Sequence, residues 1–195
     1  MSAPAATPLA GVTVRLAGGT NPVVSACESA LGELGCGWAP PDVLPDILLV
    51  AFPLLPDAAA RWRSLLADAG AAAEAMQARG AGRIVFLLPA VASLPMRRHA
   101  ELSREGATAF AALRGLAMDH GPAVLVNAVG CGYVDDGGTI SGDPAMLDHM
   151  PIGRPVRADE IAAAVIFFCN PLNSYATGQM LTVDGGWSAG YGRHF

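Results

Sequence analysis

The segment MPIGRPVRADEIAAAVIFFCNPLNSYATGQMLTVDGGWSAGYGRHF, Met150 to Phe195, decides how the rest of the chain is read. Asp159 and Glu160 stand where first-turn carboxylates favour a helix N-terminus. Ile161, Val165 and Phe168 follow at helical spacing and predict one apolar face over 158–168. Asn170, Pro171, Asn173 and Ser174 are turn formers that stop this helix near Cys169. Met180 to Val183 is a short apolar run with β-branched members, closed by Asp184-Gly185-Gly186, and predicts a strand. A glycine-rich tail, 187–195, follows it.

Upstream, strand-like and helix-like runs alternate. Val12 to Leu16 is an apolar strand, followed by Ala17-Gly18-Gly19-Thr20 and a helical run to Leu34, the opening of a doubly wound α/β domain. Asp46 to Phe52, Gly82 to Pro89 and Ala123 to Val129 predict further strands. Between them lie an Ala-rich helical region over 57–80, with a break expected near Gly70, and a long helix from about Arg98 to Asp119. The fold expected is therefore a Rossmann-like α/β domain with a doubly wound parallel sheet, 1–195 as one unit. It is truncated in one place. Only residues 37–45, interrupted by Pro40-Pro41, separate Cys36 from Asp46, and a parallel crossover with a helix takes a dozen residues or more.

The composition excludes several function classes. The net charge is −5 and no basic cluster occurs, which argues against nucleic acid as a partner. The longest apolar run, Ile47 to Leu55, contains a proline and is too short to span a bilayer, and MSAPAATPLAG has no signal-peptide pattern. A cytoplasmic location without a membrane partner is expected. Cys27, Cys36, Cys131 and Cys169 form no CxxC pair and read as buried thiols, and His99, His120, His149 and His194 lack metal-ligand spacing. With 52% hydrophobic residues, surface beyond the core is expected to be buried between subunits. The chain contains no lysine.

Gly153-Arg154, the 158–168 helix, Thr177-Gly178-Gln179 and Val183-Asp184-Gly185-Gly186, in that order, resemble the C-terminal end of the short-chain dehydrogenase/reductase family. Ordinary members exchange hydride between a nicotinamide cofactor and a carbonyl or alcohol, so the resemblance implies an oxidoreductase scaffold. The family's Thr-Gly-x-x-x-Gly-x-Gly turn maps onto Gly18, Pro22 and Val24, and its Asn-Asn-Ala-Gly turn onto Val50-Ala51-Phe52-Pro53. Its catalytic serine falls on Pro89, and its Tyr-x-x-x-Lys pair on Leu102 and Gly106. Proton exchange needs a group that can hold a proton, and these three side chains have none.

Those substitutions lead to the expectation of a catalytically inactive subunit with no metal and no cofactor of its own. It would join an active short-chain dehydrogenase that carries NAD(P), as a heterotetramer. Thr177, Gly178, Gln179, Asp184, Trp187, Tyr191 and Phe195 are the candidate interface or partner-pocket residues. Two alternatives stand beside it. One is a homo-oligomeric binding or regulatory protein for a small apolar ligand. The other is a non-redox enzyme drawing on residues such as Arg104, Asp135 or His149; Asp135 and Asp136 read more simply as solvated loop residues beside Gly137-Gly138.

Overall fold

A computed structural model describes residues 8–55, 59–134 and 144–189. In chain order the elements are β1 (Thr13–Gly18), α1 (Pro22–Glu33), β2 (Gly37–Trp38), β3 (Ile47–Ala51), α2 (Ala59–Arg79), β4 (Gly82–Pro89), α3 (Ala100–His120), β5 (Val124–Cys131), α4 (Ala158–Cys169) and β6 (Met180–Val183). Short 3-10 turns cover Ala90–Ala92, Arg97–His99, Pro144–His149 and Trp187–Ala189. The strands form one parallel sheet in the order β2-β1-β3-β4-β5-β6.

The central strands are buried on both faces, as a parallel sheet between helices requires, so they read as unbroken apolar runs. Every residue of β3 is buried. Trp62, Leu65, Ala69, Ala72, Ala73 and Met76 of α2, with Leu102, Ala109 and Leu113 of α3, pack on one face. Val23, Val24, Cys27 and Leu31 of α1, with Ile161, Val165 and Phe168 of α4, pack on the other. Burying a large apolar side chain contributes about 1.5–3 kcal/mol. That scale explains why α2 runs unbroken through Gly70, where a break was expected. A mid-helix glycine costs only about 1 kcal/mol relative to alanine, less than the packing of its neighbours supplies.

The truncation is where the sequence puts it. β2 and β3 flank β1 on opposite sides and are joined by residues 39–46, which hold no helix. β2 itself is only Gly37–Trp38, and among the described residues the sheet ends there. β1 pins the short connection. Arg15 Nη1 donates to the carbonyls of Pro41 (2.7 Å) and Val43 (3.3 Å). The Asp46 carboxylate accepts from the backbone N–H (2.9 Å) and hydroxyl (2.7 Å) of Thr13. Partial burial pushes the Asp46 carboxyl up, but the Thr13 bonds and nearby Arg79 outweigh it and hold the group below its ordinary value. Among the described residues no helix is long and apolar enough to cross a membrane.

Candidate functional site

In a doubly wound sheet the crevice opens at the carboxyl ends of the strands where the order reverses. Here that point lies between β1 and β3, whose ends meet as the register pair Gly18 and Ala51. Gly18 has φ +117°, and a Cβ on it would collide with the Ala51 carbonyl oxygen, so only glycine fits. A Cβ on Gly19 would collide with the Arg61 guanidinium, which reaches across the crevice from the first turn of α2. The turn is thus closely packed, against the Ala51 backbone at Gly18 and against the Arg61 guanidinium at Gly19.

The start of α1 is built differently from the family pattern. Asn21 is the N-cap, its side-chain oxygen accepting the N–H of Val24 at 2.9 Å, and Pro22 takes the first helical position. Proline suits that position because its φ is preset and no donor is lost to the helix. The side chain of Val24 does not stand in the crevice as the alignment suggests. It is wholly buried in the core beneath α1 with Val23, Cys27 and Leu31, because its phase on the helix turns it toward the sheet. The Arg61 guanidinium stands beside Gly19, and among the described residues the sheet ends at the two residues of β2.

On the other wall, Pro89 ends β4 and leads into the Ala90–Ala92 turn. Leu102 is buried in the core layer with Ala92, Met150 and Trp187. Gly106 lies one turn further along α3, where a Cβ would stand 2.9 Å from the Cβ of Ala92. The Ser103 hydroxyl is buried and accepts the N–H of Met96 at 3.0 Å, so the β4–α3 connection is folded onto the helix. Phe52, Trp62 and Phe86 fill the space behind it, the Phe52 ring centroid lying 5.1 Å from that of Trp62 and 4.9 Å from that of Phe86. Pro89, Leu102 and Gly106 do gather at one end of the sheet, and all three are apolar.

His99, which lacks metal-ligand spacing in the sequence, gains a different interest from its place in the structure. It precedes α3 by one residue, three positions before Leu102, and its Nε2 is buried with no hydrogen-bond partner among the described residues. Tyr133, just beyond β5, lies half-buried against the same core layer. Arg61 gave no local signal at all.

The C-terminal candidates are engaged within the chain. Thr177 Oγ1 accepts the N–H of Val126, and the Gly178 N–H donates to the Val126 carbonyl at 2.7 Å. The buried Asn127 accepts the Gln179 N–H (3.1 Å) and donates to the Ala176 carbonyl (2.8 Å). Asp184, also buried, accepts the N–H groups of Gly186 and Ser188, and Trp187 is packed into the core. Tyr191, Phe195, Asp135 and Asp136 lie outside the described residues. Arg104 is on the exposed face of α3 beside Glu101 and Glu105, and His149 is exposed. The four cysteines are buried and unbridged. Burial pushes the Cys27 and Cys169 thiols up to about 12 and raises Cys36 and Cys131 as well, which suits packing and not nucleophilic chemistry.

Residues 58–188, two thirds of the chain, match the family model described as enoyl-(acyl carrier protein) reductase. Galactitol 2-dehydrogenase (L-tagatose-forming) of Cereibacter sphaeroides is 35% identical over 147 residues, 66% of this chain and 58% of that protein. Cis-4-hydroxycyclohexanecarboxylate dehydrogenase of Sinomonas cyclohexanicum is 32% identical over 120 residues, 58% of this chain and 48% of that protein. The chain spans about half the length of these curated relatives. The fold of ligand-free aldohexose dehydrogenase from Thermoplasma acidophilum superposes with a TM-score of 0.79 at 16% identity, covering 97% of this chain and 98% of that one.

These relatives are named as dehydrogenases, and that overturns the expectation of a catalytically inactive subunit, along with the ligand-binding and non-redox alternatives. Absence of the three familiar side chains does not by itself remove the activity, and the similarity runs to proteins named as enzymes. The matched family is one that binds NAD(P), so the expectation that cofactor resides only in a partner has no support of its own. This chain belongs to the short-chain dehydrogenase/reductase family.

Proposed function

We propose that this chain is an oxidoreductase that interconverts a secondary alcohol and a ketone on a small molecule, with a nicotinamide dinucleotide as the hydride carrier. The observation that supports it is the similarity to proteins named for galactitol and cis-4-hydroxycyclohexanecarboxylate, both of which carry secondary hydroxyl groups. The dinucleotide, when bound, accepts or donates the hydride. Gly18 and Gly19 give its phosphates close approach to the backbone, and the N–H of Val23 points from the first turn of α1.

The other half of the chemistry is a proton at the substrate oxygen. Pro89, Leu102 and Gly106 cannot supply it, so it falls to another side chain at the same end of the sheet. His99 and Tyr133 are the groups we assign. An imidazole nitrogen buried without a partner costs about 1–3 kcal/mol, which a hydrogen bond to the substrate oxygen would offset. The apolar wall of Leu102, Phe52 and Trp62 excludes water from that oxygen.

The test is reduction of NAD+ or NADP+ by the purified chain with galactitol, cyclohexanol and cis-4-hydroxycyclohexanecarboxylate. Turnover with at least one pair is expected, and His99→Ala or Tyr133→Phe lowers kcat about 10²-fold or more. No turnover with any alcohol and either dinucleotide would sink the reading.

A separate observation supports a subunit contact. Phe167, Leu172, Tyr175 and Leu181 are exposed apolar residues on α4, the turn after it and the edge strand β6. We propose that they meet another subunit of the same fold. A monomer at micromolar concentration by analytical ultracentrifugation, mixed or unmixed with a full-length family member, would remove that proposal.

A further inference from the structure

The glycine turn has lost part of its usual means of holding a phosphate. Helix N-termini bind anions through N–H groups that have no partner inside the helix. In α1 the first of these positions is Pro22, which has no N–H, and the N–H of Val24 already donates to its own Asn21 cap. Only Val23 remains in that first turn. Among the described residues the sheet also stops at the two-residue β2, with no further strand beyond it to hold an adenosine.

Against that depleted turn lies a side chain from a different element. The Arg61 guanidinium occupies the space into which a Cβ of Gly19 would project, and the residue is solvent-exposed. Its position follows from the topology. β1 and β3 are neighbours, so the start of α2, which follows β3, sits beside the turn that follows β1. A guanidinium offers a full charge and a fork of donors matched to phosphate oxygens, stronger than the neutral backbone donors it would replace. The chain as a whole is acidic, at −5, so an anion drawn here responds to this local cation and not to the overall field.

We propose that Arg61 is the principal phosphate ligand of this protein, taking the diphosphate of the dinucleotide at the Gly18–Gly19 turn in place of the missing backbone donors. This rests on the oxidoreductase reading only for the identity of the ligand. Holding the ligand by its phosphates also makes binding strongly salt-dependent, because the attraction is between exposed charges.

Calorimetric titration of the full chain with NADH, ADP and inorganic pyrophosphate tests it, in the wild type, Arg61→Ala and Arg61→Lys. Expected are binding of all three by the wild type, about tenfold or greater weakening by Arg61→Ala, and partial recovery by Arg61→Lys. Unchanged or tighter binding by Arg61→Ala, with an unaltered thermal melt, overturns the proposal, since the guanidinium would then merely occupy the turn. Binding of pyrophosphate without either nucleotide overturns it too, as does no binding of any probe by the wild type. Arg61-dependent NADH binding without oxidation of any alcohol leaves the assignment standing and removes the oxidoreductase reading alone.

Discussion

Gly106 of α3 packs directly on Ala92, so closely that a Cβ at position 106 would stand 2.9 Å from the Ala92 Cβ and 3.2 Å from its Cα. The second atom is backbone and cannot swing aside. In an exposed helix, glycine to alanine gains up to about 1 kcal/mol of propensity. Overpacking a tight interior contact costs about 1–3 kcal/mol. The contact wins, and Gly106→Ala is expected to lower stability by about 1–2 kcal/mol in a denaturant titration. A stabilised variant would show that α3 can move away from the Ala90–Ala92 turn.

Arg83 ties the far end of the sheet to the turn after α4. Its Nη1 donates to the carbonyls of Phe168 (3.2 Å) and Asn173 (2.9 Å), and its Nη2 to Pro171 (3.3 Å). These partners are charge-assisted and only half-exposed, so Arg83→Ala is expected to cost about 1–3 kcal/mol. Hydrogen exchange should quicken at the N–H of Asn173, which closes that turn onto the Asn170 carbonyl. Unaltered exchange there would mean the turn stands without the clip.

Asn127 is the buried polar residue that fixes β5 to the lead-in of β6. Asn127→Leu strips partners from the Gln179 N–H and the Ala176 carbonyl together. Both groups are only partly buried, so leaving them unpaired is expected to lower stability by about 1–3 kcal/mol in all. Soluble protein with wild-type melting temperature would contradict the role drawn from the two bonds.

The cysteines set an alkaline limit. A thiol whose folded value is raised contributes stability that is complete below its unfolded value, 9.0, and is lost as pH climbs through the folded value of about 12 for Cys27 and Cys169. Stability is therefore expected to fall between about pH 9 and pH 12, and the fall should shrink in Cys27→Ala with Cys169→Ala. At neutral pH, a thiol reagent should label the native protein far more slowly than the unfolded one. Rapid native labelling of either residue would contradict its burial.

Much of the fold was legible because its signals are local. Apolar runs bounded by turn formers gave strands β3, β4 and β5 within two residues, and the acids at 159 and 160 marked the start of α4. The missing crossover was legible from length alone, since residues 37–45 cannot hold a helix and return. The identities at 89, 102 and 106 were equally plain. What they mean for activity was not, because an alignment names the side chain that is absent and is silent on what stands nearby in its place.

By itself, then, the sequence determined the order and type of the elements, the family they belong to, and the apolar character of positions 89, 102 and 106. The tertiary structure alone decided that Val24 turns into the core, that Trp187 and Leu102 join one core layer, and that Arg61 lies on Gly19. The physical reason is range. Periodicity and turn chemistry act between residues a few positions apart, whereas Gly19 and Arg61 are brought together only when β3 pairs beside β1 and both strands end at the same edge.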